Sequence, residues 1–234
     1  MEKEMIEKGY MEFVSIVQDS DLSFNPKELL EIAEKSQIHT FGWPIGVVLH
    51  TNEYMPRPYK EGIKCIIKSE TMGGSYDYWD LKKNGDFYLL QSFFEDSRTE
   101  NKIFLDVRIS RITEAILHSA LLYTLFGFHP DHVVNIRIKH NGLNGRILSI
   151  ADPMRIMFQK RTSFENAVET DIETKLSDIR TNIYDIVYRA ISEMTLMFEY
   201  YEPPRNVVND IAGQFIAQSR SHRDLNNLMN LENI

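Results

Sequence analysis

Asp80 and Lys82 are the first residues to consider for chemistry, because a two-residue spacing puts both on one face of any strand that holds them. An Asp-x-Lys pair on a strand can hold a divalent metal and orient a water for hydrolysis, as nucleases do. The metal would need a further carboxylate, and Asp77 points to the opposite face, so folding would have to bring up Asp106 or Glu95. The competing reading is a surface ion pair that adds little to stability.

A second feature is a concentration of positive charge. Residues 133–163 contain Arg137, Lys139, Arg146, Arg155, Lys160 and Arg161 against one acid, Asp152, a local charge of +5. Alternation places Arg137 and Lys139 on one face of a strand, and Arg155 and Arg161 on one face of the next. Arg137, Lys139, Arg146, Arg155 and Arg161 are therefore the candidate contacts to a phosphate-bearing ligand or an acidic surface. A solvated strand face, protected from edge aggregation by its charges, is the alternative.

Other constellations are weaker. His129 and His132 flank Pro130-Asp131, where proline prevents the regular helix that would aim both rings at a metal. His118 falls among apolar helix residues and reads as a core histidine; Cys65, inside Ile63–Ile67, reads as a small buried residue. The sequence contains no Gly-x-Ser-x-Gly, no phosphate-binding Gly-x-x-x-x-Gly-Lys-Ser/Thr and no Gly-x-Gly-x-x-Gly. Gly73-Gly74-Ser75 precedes a strand rather than a helix and is read as a turn. No cofactor and no metal are expected.

Composition bounds these possibilities. The 234 residues carry 34 acids and 26 basic side chains, a net charge of −8, which disfavours non-specific wrapping of nucleic acid. A single cysteine excludes an internal disulfide framework and fits a reducing, cytoplasmic setting. No apolar run suggests a membrane span, and Met1-Glu2-Lys3-Glu4 does not open like a signal peptide.

The elements that would position these residues follow from pattern. Residues 2–19 suggest a helix, and 26–37 a better marked one, with Asn25 as cap, Pro26 at the first position and Glu28 completing a capping box. Val47–Leu49 and Ile63–Ile67 read as strands. Tyr76–Phe94 reads as a hairpin about Asn84-Gly85, with Lys83 opposite Asp86 and a two-residue turn. That register puts Trp79, Leu81, Tyr88 and Leu90 on one face, and Tyr76, Tyr78, Asp80, Lys82, Phe87 and Leu89 on the other. Apolar groups on both faces predict a sheet covered on both sides or a face that forms a binding groove. Residues 102–109 alternate as a strand, and a central helix is expected over 111–126. A second hairpin is expected over 133–151 with His140 opposite Arg146, then a strand near 155–161. Ile172, Leu176, Ile179, Ile183, Ile186 and Ala190 keep 4-3-4-3-4 spacing, predicting about thirty residues of helix that could either dimerise or fold back on a second helix beyond Pro203-Pro204.

The fold class is thus α+β: an antiparallel-rich sheet with N-terminal helices and a long C-terminal helical pair. The expected divisions are 1–40 (helices), 41–165 (sheet core), 166–219 (C-terminal helices packed on the same core) and 220–234 (a flexible tail).

Several stretches also carry a family resemblance: Glu31–Pro44, Tyr78-Trp79-Asp80-Leu81, Gly85-Asp86-Phe87-Tyr88, Phe94-Glu95-Asp96 and Arg137–Arg146. Together they resemble the region following an AlbA-type, Schlafen-like nucleic-acid-binding domain in bacterial defence or regulatory proteins, over residues 28–215. The AlbA-like domain itself is not within these 234 residues, so its binding activity is not carried over. The resemblance implies an accessory, sensing or assembly module. The expectation is a non-enzymatic module that recognises an anionic ligand or a protein partner, with a homodimer as one form of partner. The metal-dependent nuclease (Asp80, Lys82, Asp106) and a structural assembly subunit are the alternatives.

Overall fold

Tyr10–Val17 is a strand, β1, and not the helix expected over 2–19. Met11, Phe13 and Val17 turn inward at period two, while Tyr10, Glu12, Val14 and Ile16 turn outward. The computed structural model describes residues 9–40, 43–69, 75–99 and 101–219, so the start of that expected helix, the Gly73-Gly74 turn and the tail lie outside the described residues. Helix α1, Pro26–Lys35, forms as its cap predicts: the Asn25 side chain accepts from the Lys27 and Glu28 amides, and Glu28 accepts from the Asn25 amide.

Strands β2 (Arg57–Tyr59), β3 (Gly62–Ser69), β4 (Ser75–Lys82) and β5 (Phe87–Ser92) form an antiparallel meander. Val47–Leu49 is not a strand; Ile45 and Val48 there donate their amides to the side chains of Glu114 and Gln37. The β4–β5 hairpin is one residue out of the expected register, with Leu81 opposite Phe87 and Trp79 opposite Leu89. Lys82 pairs with Asp86 across a three-residue loop, and Gly85 takes a φ of +92°. A one-residue slip flips a whole strand, so Phe87 and Leu89 join Trp79 and Leu81 in the core and Tyr88 turns outward.

Next come β6 (Lys102–Phe104) and α2 (Leu105–Leu125). The alternation of Ile103, Leu105, Val107 and Ile109 is therefore mostly helical. Leu105, Ile109, Ile112 and Ile116 also satisfy 4-3-4 spacing, and α2 is buried without a break from Arg111 through Tyr123, so both periodicities land on apolar residues.

The expected second hairpin does not form. Strand β7 (Val133–Asn141) pairs with β1 and with β9 (Ala167–Lys175), whereas β8 (Ile147–Ser149) runs parallel to β6 in a separate two-stranded sheet. His140 thus lies opposite Met11 and Val168, not Arg146. Residues 155–161 are not a strand. The main sheet has seven strands in the order β2-β3-β4-β5-β1-β7-β9, every neighbour antiparallel.

The C-terminal helix is broken into α3 (Leu176–Thr181), α4 (Ile183–Leu196) and α5 (Arg205–Gln218), with Ile172 belonging to β9. Ile183, Val187, Ala190, Ile191 and Met194 are buried within the chain, in a layer where α4 and α5 pack on α2 and on each other. The fold-back arrangement therefore covers the stripe that would have served a dimer. One core cluster joins Met11, Leu29, Trp79, Ile116, Ile183 and Phe215, so residues before 40 and after 166 share it. The α+β class holds, with five helices beside a mostly antiparallel sheet. No helix of the described residues is long and apolar enough to cross a membrane.

Candidate functional site

With the helical layer on one side, no helix among the described residues covers the other face of the seven-stranded sheet. Its composition follows directly from register. One row across the sheet reads Lys64, Asp80, Tyr88, Val14, Arg137, Asp171; the next reads Ile66, Tyr78, Leu90, Glu12, Lys139, Glu169. Tyr76 and Tyr10 extend the aromatic zone, and Tyr59 contributes from the β2 edge. The half formed by β3, β4, β5 and β1 is thus a tyrosine and aliphatic band, and the half formed by β7 and β9 is a band of paired charges.

The tyrosines are held in place. Tyr59 donates its hydroxyl to both Asp80 oxygens (2.8 and 2.9 Å), and Tyr78 reaches the same carboxylate at 3.5 Å. Tyr78 and Tyr88 meet edge to face with centroids 5.8 Å apart. Lys64 lies 5.2 Å over the Tyr59 ring and Lys68 5.8 Å over Tyr76. Partial burial raises the phenol pKa values of Tyr59, Tyr78 and Tyr88, with nearby Asp80 or Glu12 adding to the effect, so all three stay neutral donors near neutral pH.

On the charged half, Arg137 binds Asp171 at 2.7 Å and Glu169 at 3.2 Å. Its hydrogen bond to Asp171 raises its pKa further. Beside it lies an open depression of about 520 Å³ lined by Val14, Ile16, Asn135, Arg137, Asp171 and Arg189. Arg189 reaches in from α4 and donates to the Asp171 carbonyl at 3.1 Å. The depression is large enough for a side chain or small ligand.

The sequence-nominated residues divide between this face and elsewhere. Asp80, Lys82, Arg137 and Lys139 all lie on it, with Lys82 paired to Asp86 at 3.6 Å. Asp80 and Arg137 are three strands apart, about 14 Å at 4.8 Å per strand, too far to act on one atom. Asp106 sits at the start of α2, where its carboxylate accepts from the Ala151 and Asp152 amides. Glu95 is buried against Arg108 and the Phe104 amide. Among the described residues no group of three His, Cys, Asp or Glu side chains is placed to hold a metal. Folding does not gather the carboxylates that the Asp-x-Lys reading requires.

The remaining arginines are not a cluster. Arg146 is 8% exposed, bound to Asp96 at 2.5 Å and stacked 5.1 Å from the Phe93 centroid. Arg155 pairs with Asp152 and Asp210, and Arg161 lies 4.7 Å over Tyr201. Three of the six cations behind the local +5, Arg137, Arg146 and Arg155, meet acids from distant segments, which no count along the chain could reveal.

Sequence reasoning also missed a belt of buried charge on the inner side. Arg108 meets Glu95 at 3.1 Å and Arg111 meets Glu114 at 2.7 Å, all but removed from solvent. Arg111 also donates to the Trp43 carbonyl. Asp77 accepts from Gln91 at 2.6 Å, and burial raises the pKa of both Asp77 and Glu114. His118 and His140 are buried and held down to about 3 by desolvation. Burial pushes the Cys65 thiol up to about 12, which leaves it unreactive. These groups tie the loop after α1 and the end of β5 to α2. The signal was present in the charges inside the otherwise apolar 105–125 stretch.

Compared with known proteins, the chain matches no family model, no curated protein and no solved structure.

Proposed function

We propose that the protein is a non-enzymatic recognition module that docks a protein partner on the open face of its sheet. The observation that carries this reading is the uncovered band of Tyr10, Tyr76, Tyr78 and Tyr88, bordered by Ile66, Val14 and the Arg137 depression. Tyrosines with restricted rotamers and arginines beside them supply contact area at low entropic cost, and such residues dominate protein interfaces. A nucleic acid is the poorer fit: Arg57, Lys64, Lys68, Lys82, Arg137, Lys139 and Lys175 are met on this face by Glu12, Asp80, Glu169, Asp171 and Glu173, with Asp131 beside Lys175, leaving an excess of a single cation among these residues. An anionic small ligand at Arg137 would have to displace two carboxylates already bound there. The proposed cytoplasmic setting in a bacterial defence or regulatory system rests on the family resemblance and the single cysteine.

The test is affinity capture from the native host with the full chain and with a Tyr78→Ser/Tyr88→Ser variant of equal thermal stability. A protein held stoichiometrically by the former and lost by the latter supports the reading. Equal capture by both, or metal-dependent nuclease turnover abolished by Asp80→Ala, overturns it.

A further inference from the structure

The main sheet ends in β2 on one side and β9 on the other, and the two edges differ. β2 has three residues, one of them Pro58, and Tyr59 at its end is tied to Asp80. β9 has nine residues, no proline, and a register with β7 that runs without a bulge from Val133↔Lys175 to Asn141↔Ala167. A long, regular edge of this kind is a template for a further strand.

The hydrogen bonds at the strand ends fix which backbone groups of β9 are free. The Gln18 amide donates to the Val133 carbonyl, so the odd-numbered residues of β7 face β1. The even-numbered ones face β9, in agreement with the Leu176 amide donating to the His132 carbonyl. Thr170 and Ile172, opposite Ile138 and Ile136, therefore bond to β7, while the backbones of Glu169, Asp171 and Glu173 point away from the sheet. Among the described residues those three amides donate to no acceptor, and of their carbonyls only that of Asp171 accepts, from Arg189. The side chains of the same three residues are exposed and form an acidic outermost row. Arg137, which meets the first two, and Lys139 stand one strand further in. Arg189 and Lys175 have acids of their own, Glu193 and Asp131. Glu173 meets no cation among the described residues, only the Gln18 side-chain amide at 3.3 Å.

We propose that β9 is the docking edge for an extended, basic segment of a protein partner, which adds to the sheet as a further antiparallel strand. Residues of that segment opposite Glu169, Asp171 and Glu173 exchange backbone hydrogen bonds with them. Their side chains turn to the open face, where lysine or arginine meets the acidic row. The Asp171 carbonyl has a second lone pair, so Arg189 does not have to leave. A second copy of the chain is the poorer occupant, because antiparallel self-pairing about Asp171 sets Asp171 against Asp171 and Glu169 against Glu173. The edge is separate from the tyrosine band, and its docking role stands whether or not that band holds a partner.

The experiment uses the full chain and a short capped peptide in which lysine alternates with threonine and valine. In the free protein, amide hydrogen exchange should be fast at Glu169, Asp171 and Glu173 and slow at Thr170 and Ile172. The peptide at about 1 mM should slow the three edge amides at least about threefold, as a Kd of about 500 µM or tighter requires. Glu169→Lys/Glu173→Lys, which alters exposed side chains only, should weaken the lysine peptide at least about tenfold and bind a peptide with glutamate in place of lysine. N-methylation of the peptide amides that face β9 keeps the charge and should abolish binding, and Tyr78→Ser/Tyr88→Ser should leave binding unchanged. Slow exchange of the edge amides in the free protein, no slowing at 1 mM peptide, equal binding of the N-methylated or glutamate peptide to the unaltered chain, or loss of binding in the tyrosine variant would each overturn the proposal.

Discussion

Removing Glu95 should nearly unfold the protein, although the residue touches no proposed binding surface. Its carboxylate is fully buried; one oxygen accepts from Arg108 at 3.1 Å and the other from the Phe104 amide at 2.9 Å. Arg108 is 2% exposed, and burial lowers its pKa against the opposing pull of Glu95. Glu95→Ala therefore leaves a cation in the core without its counter-charge, a loss of about 3–5 kcal/mol. The orphaned amide raises the total to about 4–6 kcal/mol, against the roughly 5–15 kcal/mol that stabilises a typical domain. At about 2–4 °C per kcal/mol for a chain of this size, the melting temperature should fall by roughly 10–20 °C. Arg137→Ala is the control: its side chain is 56% exposed, so solvent and salt screen its pairs with Glu169 and Asp171 and they add little to stability. Urea denaturation followed by circular dichroism, at low and high salt, measures both. The Glu95 loss should be insensitive to salt, and a Glu95→Leu/Arg108→Met double variant should recover most of it. A loss for Glu95→Ala no greater than that for Arg137→Ala would refute the buried-pair account of how β5 is tied to α2.

Three further outcomes are expected. Burial holds His140 at about 3, so the folded state keeps it neutral while the unfolded chain, near 6.5, takes up a proton; its contribution to stability is lost as pH falls from about 6.5 toward 3, at ~1.4 kcal/mol per unit. Asp77 and Glu114, raised by burial, act in the opposite sense, so the effect is read by difference: His140→Leu should remove about one proton of uptake on unfolding between pH 6 and 4. Gly46→Ala should cost at least about 2 kcal/mol in the same urea assay, because Gly46 has a φ of +65° and an added Cβ would lie 2.7 Å from His118 Nε2. Ile183→Asp should unfold the monomer by circular dichroism, since Ile183 is 1% exposed within the chain; a folded variant would contradict the fold-back of α4 and α5.

The α+β class and α1 were legible because local signals determine them: an Asn25–Glu28 capping box needs only four residues. The β4–β5 hairpin was legible in place but not in register, because Asn84-Gly85 serves a three-residue loop as well as a two-residue one. β1 was misread because Met11, Phe13 and Val17 sit among apolar neighbours that also fit a helix, and its pairing with β5 and β7 lies about 80 and 130 residues away. The same non-locality hid the fate of the arginines. Asp171, Asp96 and Asp210 reach Arg137, Arg146 and Arg155 only through the fold. Asp80, Lys82, Arg137 and Lys139 were nominated individually, but that they share a face with Tyr10, Tyr78 and Tyr88 follows from strand order, which alternation alone does not determine.

Site-specific photo-cross-linking tests the central claim most directly. A photoreactive phenylalanine analogue would be placed in turn at Tyr10, Tyr78 and Tyr88 on the open face, and at exposed Glu31 on α1 as a control, in the native host. The account predicts that one and the same protein is captured from all three sheet positions and not from Glu31. Capture from Glu31 alone, capture of unrelated proteins at each site, or none from the sheet face would contradict it.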